Sequence, residues 1–131
     1  MVPAGRNKPF SRRITIDTEQ KLEVTRALLD EKKALDIEVI ALEGRALFAD
    51  YFVICTGTSN THIKAIADGL LVEGKERGLR KLHTEGYSQA KWVLIDYGDI
   101  IVHIFAQEER DFYDIESLWR QTESLVRNKA E

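Results

Sequence analysis

Residues 91–105, KWVLIDYGDIIVHIF, set two apolar runs on either side of Tyr97-Gly98-Asp99. Glycine followed by aspartate suits a two-residue type II′ turn, which takes glycine at its first central position. With Gly98 and Asp99 as the loop, Tyr97 pairs with Ile100, Ile95 with Val102 and Val93 with Ile104. Cross-strand partners share a face, so that face is aliphatic and reads as core. The opposite face collects Trp92 with Phe105, Leu94 with His103 and Asp96 with Ile101. It is chemically mixed and reads as a surface for a partner.

Working outward, Leu22, Val24, Leu28 and Leu29 predict a helix from an Asp17 or Thr18 N-cap to about Lys33, although Thr18 and Lys21 make a poor capping box. Asp36–Leu42 and Asp50–Thr56 are β-branched, apolar runs, hence strands, separated by a turn at Glu43-Gly44-Arg45. Ile63, Ile66, Ala67, Leu70 and Gly74 form one helical stripe, begun by Ser59 or Asn60 and ended near Gly78. Lys81–Ala90 reads as irregular chain or a short strand. Phe112, Ile115, Leu118 and Trp119 sit at helical spacing, which predicts a terminal helix packed back on the sheet. The order α-β-β-α-β-β-α gives an α/β fold, a mixed β-sheet covered by helices in two or three layers. Residues 1–13 read as a disordered basic tail, 14–120 as one domain, and 121–131 as the end of the last helix or a tail.

The 131 residues include a single cysteine, Cys55, which excludes an internal disulfide and fits a reducing, cytoplasmic setting. Its apolar neighbours favour a buried structural thiol. No apolar run reaches the roughly 20 residues a membrane helix needs. Arg6, Lys8, Arg12 and Arg13 stand without an acid in residues 1–13, so with a formal charge of −3 overall the rest of the chain sums to −7. An acidic body argues against a grip on DNA or RNA phosphates and suits a basic protein partner.

Strand–Gly57-Thr58-Ser59–helix resembles the Gly-Ser element of nucleotidyltransferases, and a helix N-terminus can hold an anion. Those enzymes also need paired carboxylates for two metal ions. No Asp-x-Asp or Asp-x-Glu follows the long helix, and Asp96 and Asp99 flank a turn and diverge. His62, His83 and His103 lack metal-ligand spacing. The residues therefore imply neither a catalytic set nor a metal or other cofactor. Trp92, ringed by Asp96 and His103, has the character of an interface anchor.

The runs ADYFVICTGTSNTHIKAIAD (49–68), EGYSQAKWVLIDYGDIIVHIF (85–105) and ERDFYDIESLW (109–119) resemble the ribosomal silencing factor, or Iojap, family. The likeness spans about residues 18–120. It rests on four motifs in order: Asp-Tyr-Phe-Val-Ile before Gly-x-Ser, Glu-Gly before Trp, Asp-x-Gly-Asp before Val-His, and Arg-x-x-Tyr-x-x-Glu-x-Leu-Trp. The resemblance implies a nucleotidyltransferase-like fold without catalytic carboxylates. It also implies binding to the large ribosomal subunit at ribosomal protein fourteen, a block on subunit joining, and repression of translation in starvation. Organellar relatives act in large-subunit biogenesis. Combined with the face argument, it makes Glu85, Trp92, Leu94, Asp96, Tyr97, Asp99 and His103 the expected partner-binding residues. A peripheral ribosomal RNA contact and a homodimer through the same face are further expectations, and a metal-dependent nucleotidyltransferase using Ser59 with Asp96 or Asp99 is the rival.

Overall fold

The computed structural model describes residues 15–121, so the expectations for residues 1–13 and for nearly all of 121–131 lie outside the described residues. Helix α1 (Thr18–Glu31) starts at Asp17, whose carboxylate accepts the Gln20 backbone N–H while the Gln20 side chain accepts the Asp17 N–H. This is a reciprocal capping box, set one residue earlier than the Thr18–Lys21 pairing considered from sequence. Strands β1 (Leu35–Ala41) and β2 (Tyr51–Gly57) follow, then α2 (Asn60–Glu76), β3 (His83–Glu85), β4 (Trp92–Asp96) and β5 (Ile100–Ala106). Helix α3 (Gln107–Tyr113) and a last helical segment, α4 (residues 115–121), close the described chain.

The sheet runs β1-β2-β5-β4-β3, with β2 and β5 parallel and the other neighbours antiparallel. It is the expected mixed sheet. The parallel pair requires a crossover, which α2 and the β3–β4 strands provide. Gly78, at φ +103°, turns the chain out of α2 as its C′ residue.

The hairpin register is the one its turn dictates. Trp92 faces Phe105, Val93 Ile104, Leu94 His103, Ile95 Val102 and Asp96 Ile101. On one face Val53, Cys55, Val93, Ile95, Val102 and Ile104 pack under Leu28 and Leu29 of α1 and Ile63, Ile66 and Leu70 of α2, all buried. The second face holds a smaller core of Ile40, Leu42, Phe52, Ile54, Ile101 and Phe105, against which Trp92, Ile115 and Trp119 pack. The molecule therefore has three layers, the third built from α3, α4 and the 42–50 loop. Arg45 ties that loop down by donating to the carbonyls of Leu42 at 2.7 Å, Trp119 at 2.6 Å, and Ala41.

The third layer departs from the single terminal helix expected. Asp114, in the left-handed region at φ 41°, separates α3 from α4. The break changes which side chains face inward: Phe112 and Leu118 are exposed, while Ile115 and Trp119 are half-buried on the sheet.

Candidate functional site

The hairpin turn carries three of the expected contact residues, and the structure uses each internally. Gly98 has φ +96°, its N–H donates to Asp96 Oδ1 at 2.7 Å, and the Tyr97 N–H donates to the Ile100 carbonyl at 2.9 Å. Tyr97 lies in the first core, only 3% exposed, with its hydroxyl donating to the Leu70 carbonyl at 3.2 Å. Tyr97 is therefore a core residue and not a surface contact, as its place on the aliphatic face dictates. Burial would raise the Asp99 carboxyl, but hydrogen bonds from the Thr18 hydroxyl and the Lys21 ammonium, the latter at 2.9 Å, hold it below the usual range. Asp99 thus anchors the first turn of α1 to the hairpin and is committed to that contact.

His103 is also inside, 4% exposed, between the Phe52 ring at 4.6 Å and Trp92. The Trp92 indole N–H donates to His103 Nδ1 at 3.1 Å. An indole only donates, so the network assigns the imidazole proton to Nε2, and Nε2 is buried with no partner among the described residues. Burial lowers the His103 pKa to about 4. A histidine held neutral in the fold but titrating near 6.5 unfolded stabilises fully above pH 6.5, and that stability drains as pH falls toward 4. At pH 4.5 the loss is roughly 2–3 kcal/mol. Urea unfolding at pH 7.0 and 4.5 is expected to show this drop in the wild type and a shallower one in His103→Phe; equal slopes would contradict it.

Around His103 the second face is an aromatic layer. Trp92 packs on Phe105 and on Tyr113, each with ring centroids at 4.8 Å, and Trp119 meets the edge of Phe52 at 5.5 Å. The layer is locked by Arg110, which is 7% exposed. Its guanidinium donates to both Glu116 carboxylate oxygens, at 3.0 and 2.8 Å, and to Thr56 Oγ1 at 2.7 Å. This explains the Arg-x-x-Tyr-x-x-Glu-x-Leu-Trp spacing. Arg110 and Glu116 close a buried ion pair across the Asp114 break, and that pair places Tyr113 on Trp92 and Trp119 on Phe52.

The part of the face left open is its β4–β3 margin. Trp92, Leu94 and Asp96 are half-buried there, and Glu85 and His83 are exposed and paired with each other. Glu85 faces Leu94 and His83 faces Asp96 across the strands, so these side chains share one surface. Gly86 explains the Glu-Gly element: at φ +81° a Cβ would come within 2.1 Å of the Trp92 carbonyl oxygen, so the backbones approach closely only with glycine. Leu47 and Phe48, unmarked by any pattern in the sequence, are left exposed by the 42–50 loop beside this layer, the Phe48 ring centroid 6.2 Å from that of Phe52. No periodicity marks a loop residue as exposed, so no pattern pointed to them.

The turn after β2 opens a cleft of about 420 Å³ lined by Thr56, Gly57, Thr58, Ser59, Asn60 and neighbouring residues. Its groups serve the fold. Ser59 Oγ accepts the His62 N–H as the N-cap of α2, and the His62 ring joins the Thr58 N–H, at 2.9 Å, to the Lys32 carbonyl, at 2.8 Å. Gly57 has no room for a side chain, since a Cβ would meet Ile63 Cγ1 at 2.6 Å. Burial pushes the Cys55 thiol up to about 12, so it is an inert core residue.

Residues 15–131 match the family described as "Ribosomal silencing factor during starvation". A ribosomal silencing factor of Bacillus subtilis is 42% identical over 98 residues, covering 75% of this chain and 83% of the relative. The mouse protein named "Mitochondrial assembly of ribosomal large subunit protein 1" is 33% identical over 96 residues, covering 71% of this chain and 42% of its own length. A crystal structure of a Chromobacterium violaceum protein superposes with a TM-score of 0.77 at 32% identity, covering 79% of this chain and 87% of that one.

Proposed function

Because the chain belongs to the ribosomal silencing factor family, we propose that it binds the large ribosomal subunit at ribosomal protein fourteen and blocks joining of the small subunit, repressing translation in starvation. The observation that carries this reading is the family match over residues 15–131. The open β4–β3 margin supports it, because Leu94 and the edge of Trp92 give an apolar centre, with Glu85 and Asp96 as acids for a basic protein. The acidic body would also repel the RNA-rich face of the incoming small subunit, adding charge to steric exclusion.

The protein acts on this reading as a cytoplasmic binding factor and not as an enzyme. Two of the groups a nucleotidyltransferase would need are tied up elsewhere: Asp99 by Thr18 and Lys21, and Ser59 by the helix cap. A role in large-subunit assembly is the second reading, favoured by the name of the mitochondrial relative. Self-association through the same margin would compete with docking.

Sucrose-gradient profiles of purified subunits test the proposal. Added protein is expected to sediment with the large subunit and to reduce joined ribosomes in proportion to occupancy. Unchanged joining, with the protein left at the top of the gradient, would refute it.

A further inference from the structure

Lys75, Arg77, Arg80 and Lys81 stand against one acid, Glu76, within seven residues, a local formal charge of +3 in a body that sums to −7. All five are exposed. Lys75, in the last turn of α2, and Arg77, its C-cap, complement the helix dipole, and Arg77 also meets Glu31 at 3.6 Å. That explanation does not reach Arg80 and Lys81. They lie beyond the helix, after Leu79 has folded back into the core against Gly74. Among the described residues no carboxylate pairs with Lys75, Arg80 or Lys81.

The patch is held in place. The Leu82 N–H donates to the Asp96 carbonyl at 2.8 Å, which fixes Arg80 and Lys81 at the hairpin-turn end of the sheet and makes them continuous with the β3 margin. Helix α1 begins at the same turn, through Thr18, Lys21 and Asp99. Asp36, Glu38, Asp111 and Asp114 gather around Arg110 and Glu116 on another part of the surface, near the C-terminal end of β2. Among the described residues, this basic cluster and that acidic one lie on separate parts of the surface.

We propose that Lys75, Arg80 and Lys81, at the C-terminal end of α2, bind the phosphodiester backbone of ribosomal RNA beside the protein docked on the β4–β3 margin. This rests on the ribosome reading above. A phosphate track suits three unpaired cations on a rigid rim, each neutralised phosphate releasing counterions and steepening the salt dependence of binding.

The test uses full-length protein, purified large subunits and isolated ribosomal protein fourteen. The combined Lys75→Ala, Arg80→Ala, Lys81→Ala variant is expected to bind subunits about tenfold more weakly near 0.1 M salt, with a slope of log K against log salt reduced by about 2. Its affinity for isolated ribosomal protein fourteen is expected to match wild type. The three corresponding glutamine substitutions give a second variant should the alanine form fold poorly. An unchanged slope would overturn the RNA contact while leaving subunit docking standing. An equal loss on the isolated protein would make the patch a protein contact and also overturn it. Failure of the wild type to bind subunits would remove both proposals.

Discussion

Arg110→Ala is expected to destabilise the fold by about 3–5 kcal/mol, the range for breaking a buried ion pair from one side. The guanidinium spans two layers, holding Glu116 of α4 by a bidentate contact and Thr56 of β2 by a third hydrogen bond. Its removal leaves a carboxylate only 15% exposed without a counterion. Burial works against the Arg110 charge, and Glu116, together with Asp36 and Cys55, more than restores it. Glu116→Gln keeps hydrogen bonding and removes the charge, so a smaller loss of about 1–2 kcal/mol is expected. Both tryptophans of the chain, Trp92 and Trp119, lie on the second face. Their fluorescence should therefore shift toward that of exposed indole in Arg110→Ala under conditions where the far-ultraviolet circular dichroism is retained. An unfolding free energy from urea within about 1 kcal/mol of wild type would show that the third layer does not depend on this pair.

That layer marks where sequence reasoning stopped. The sheet register was legible because the Gly98-Asp99 turn fixes it and a side-chain period of two then assigns every face. The burial of Val93, Ile95, Val102 and Ile104 follows directly. Helical spacing alone, however, projected Phe112, Ile115, Leu118 and Trp119 onto one stripe. A single αL residue, Asp114, resets the phase and turns Phe112 and Leu118 outward. The same limit applies to His103 and Asp99. Alternation places His103 on the second face but says nothing of what covers that face, and the cover comes from Phe52, Trp92 and Phe105, two of them on other strands. The Asp99 partners lie 78 and 81 residues away, beyond any local pattern. Two of the motifs that carry the family resemblance are packing devices in the fold: Arg110–Glu116 is a clamp and Gly86 a close approach. Within the expected partner set, Glu85, Leu94, Asp96 and the open edge of Trp92 remain available to a partner.

Trp92→Ala is expected to lower stability by about 3–5 kcal/mol, because the ring is more a structural element than a free anchor. It would lose the stacks on Phe105 and Tyr113 and leave His103 Nδ1 buried without its donor. Loss of ribosome binding in this variant would therefore not identify a contact. Trp92→Phe, which keeps an aromatic ring and removes only the indole N–H and some area, is expected to cost about 1–2 kcal/mol. Glu85→Lys separates the two roles from the other side. Its side chain is 65% exposed and paired only with the exposed His83 among the described residues, so unfolding should hardly change, while reversing a rim charge toward a basic partner should weaken subunit binding about fivefold. The decisive comparison is between these variants under conditions where each is fully folded. If Trp92→Phe binds subunits like wild type while Glu85→Lys does not, the margin docks through its acidic rim, with Trp92 supporting it from beneath. If folded Trp92→Phe loses more than about tenfold, or some 1.4 kcal/mol, the exposed edge of the indole is itself in the contact.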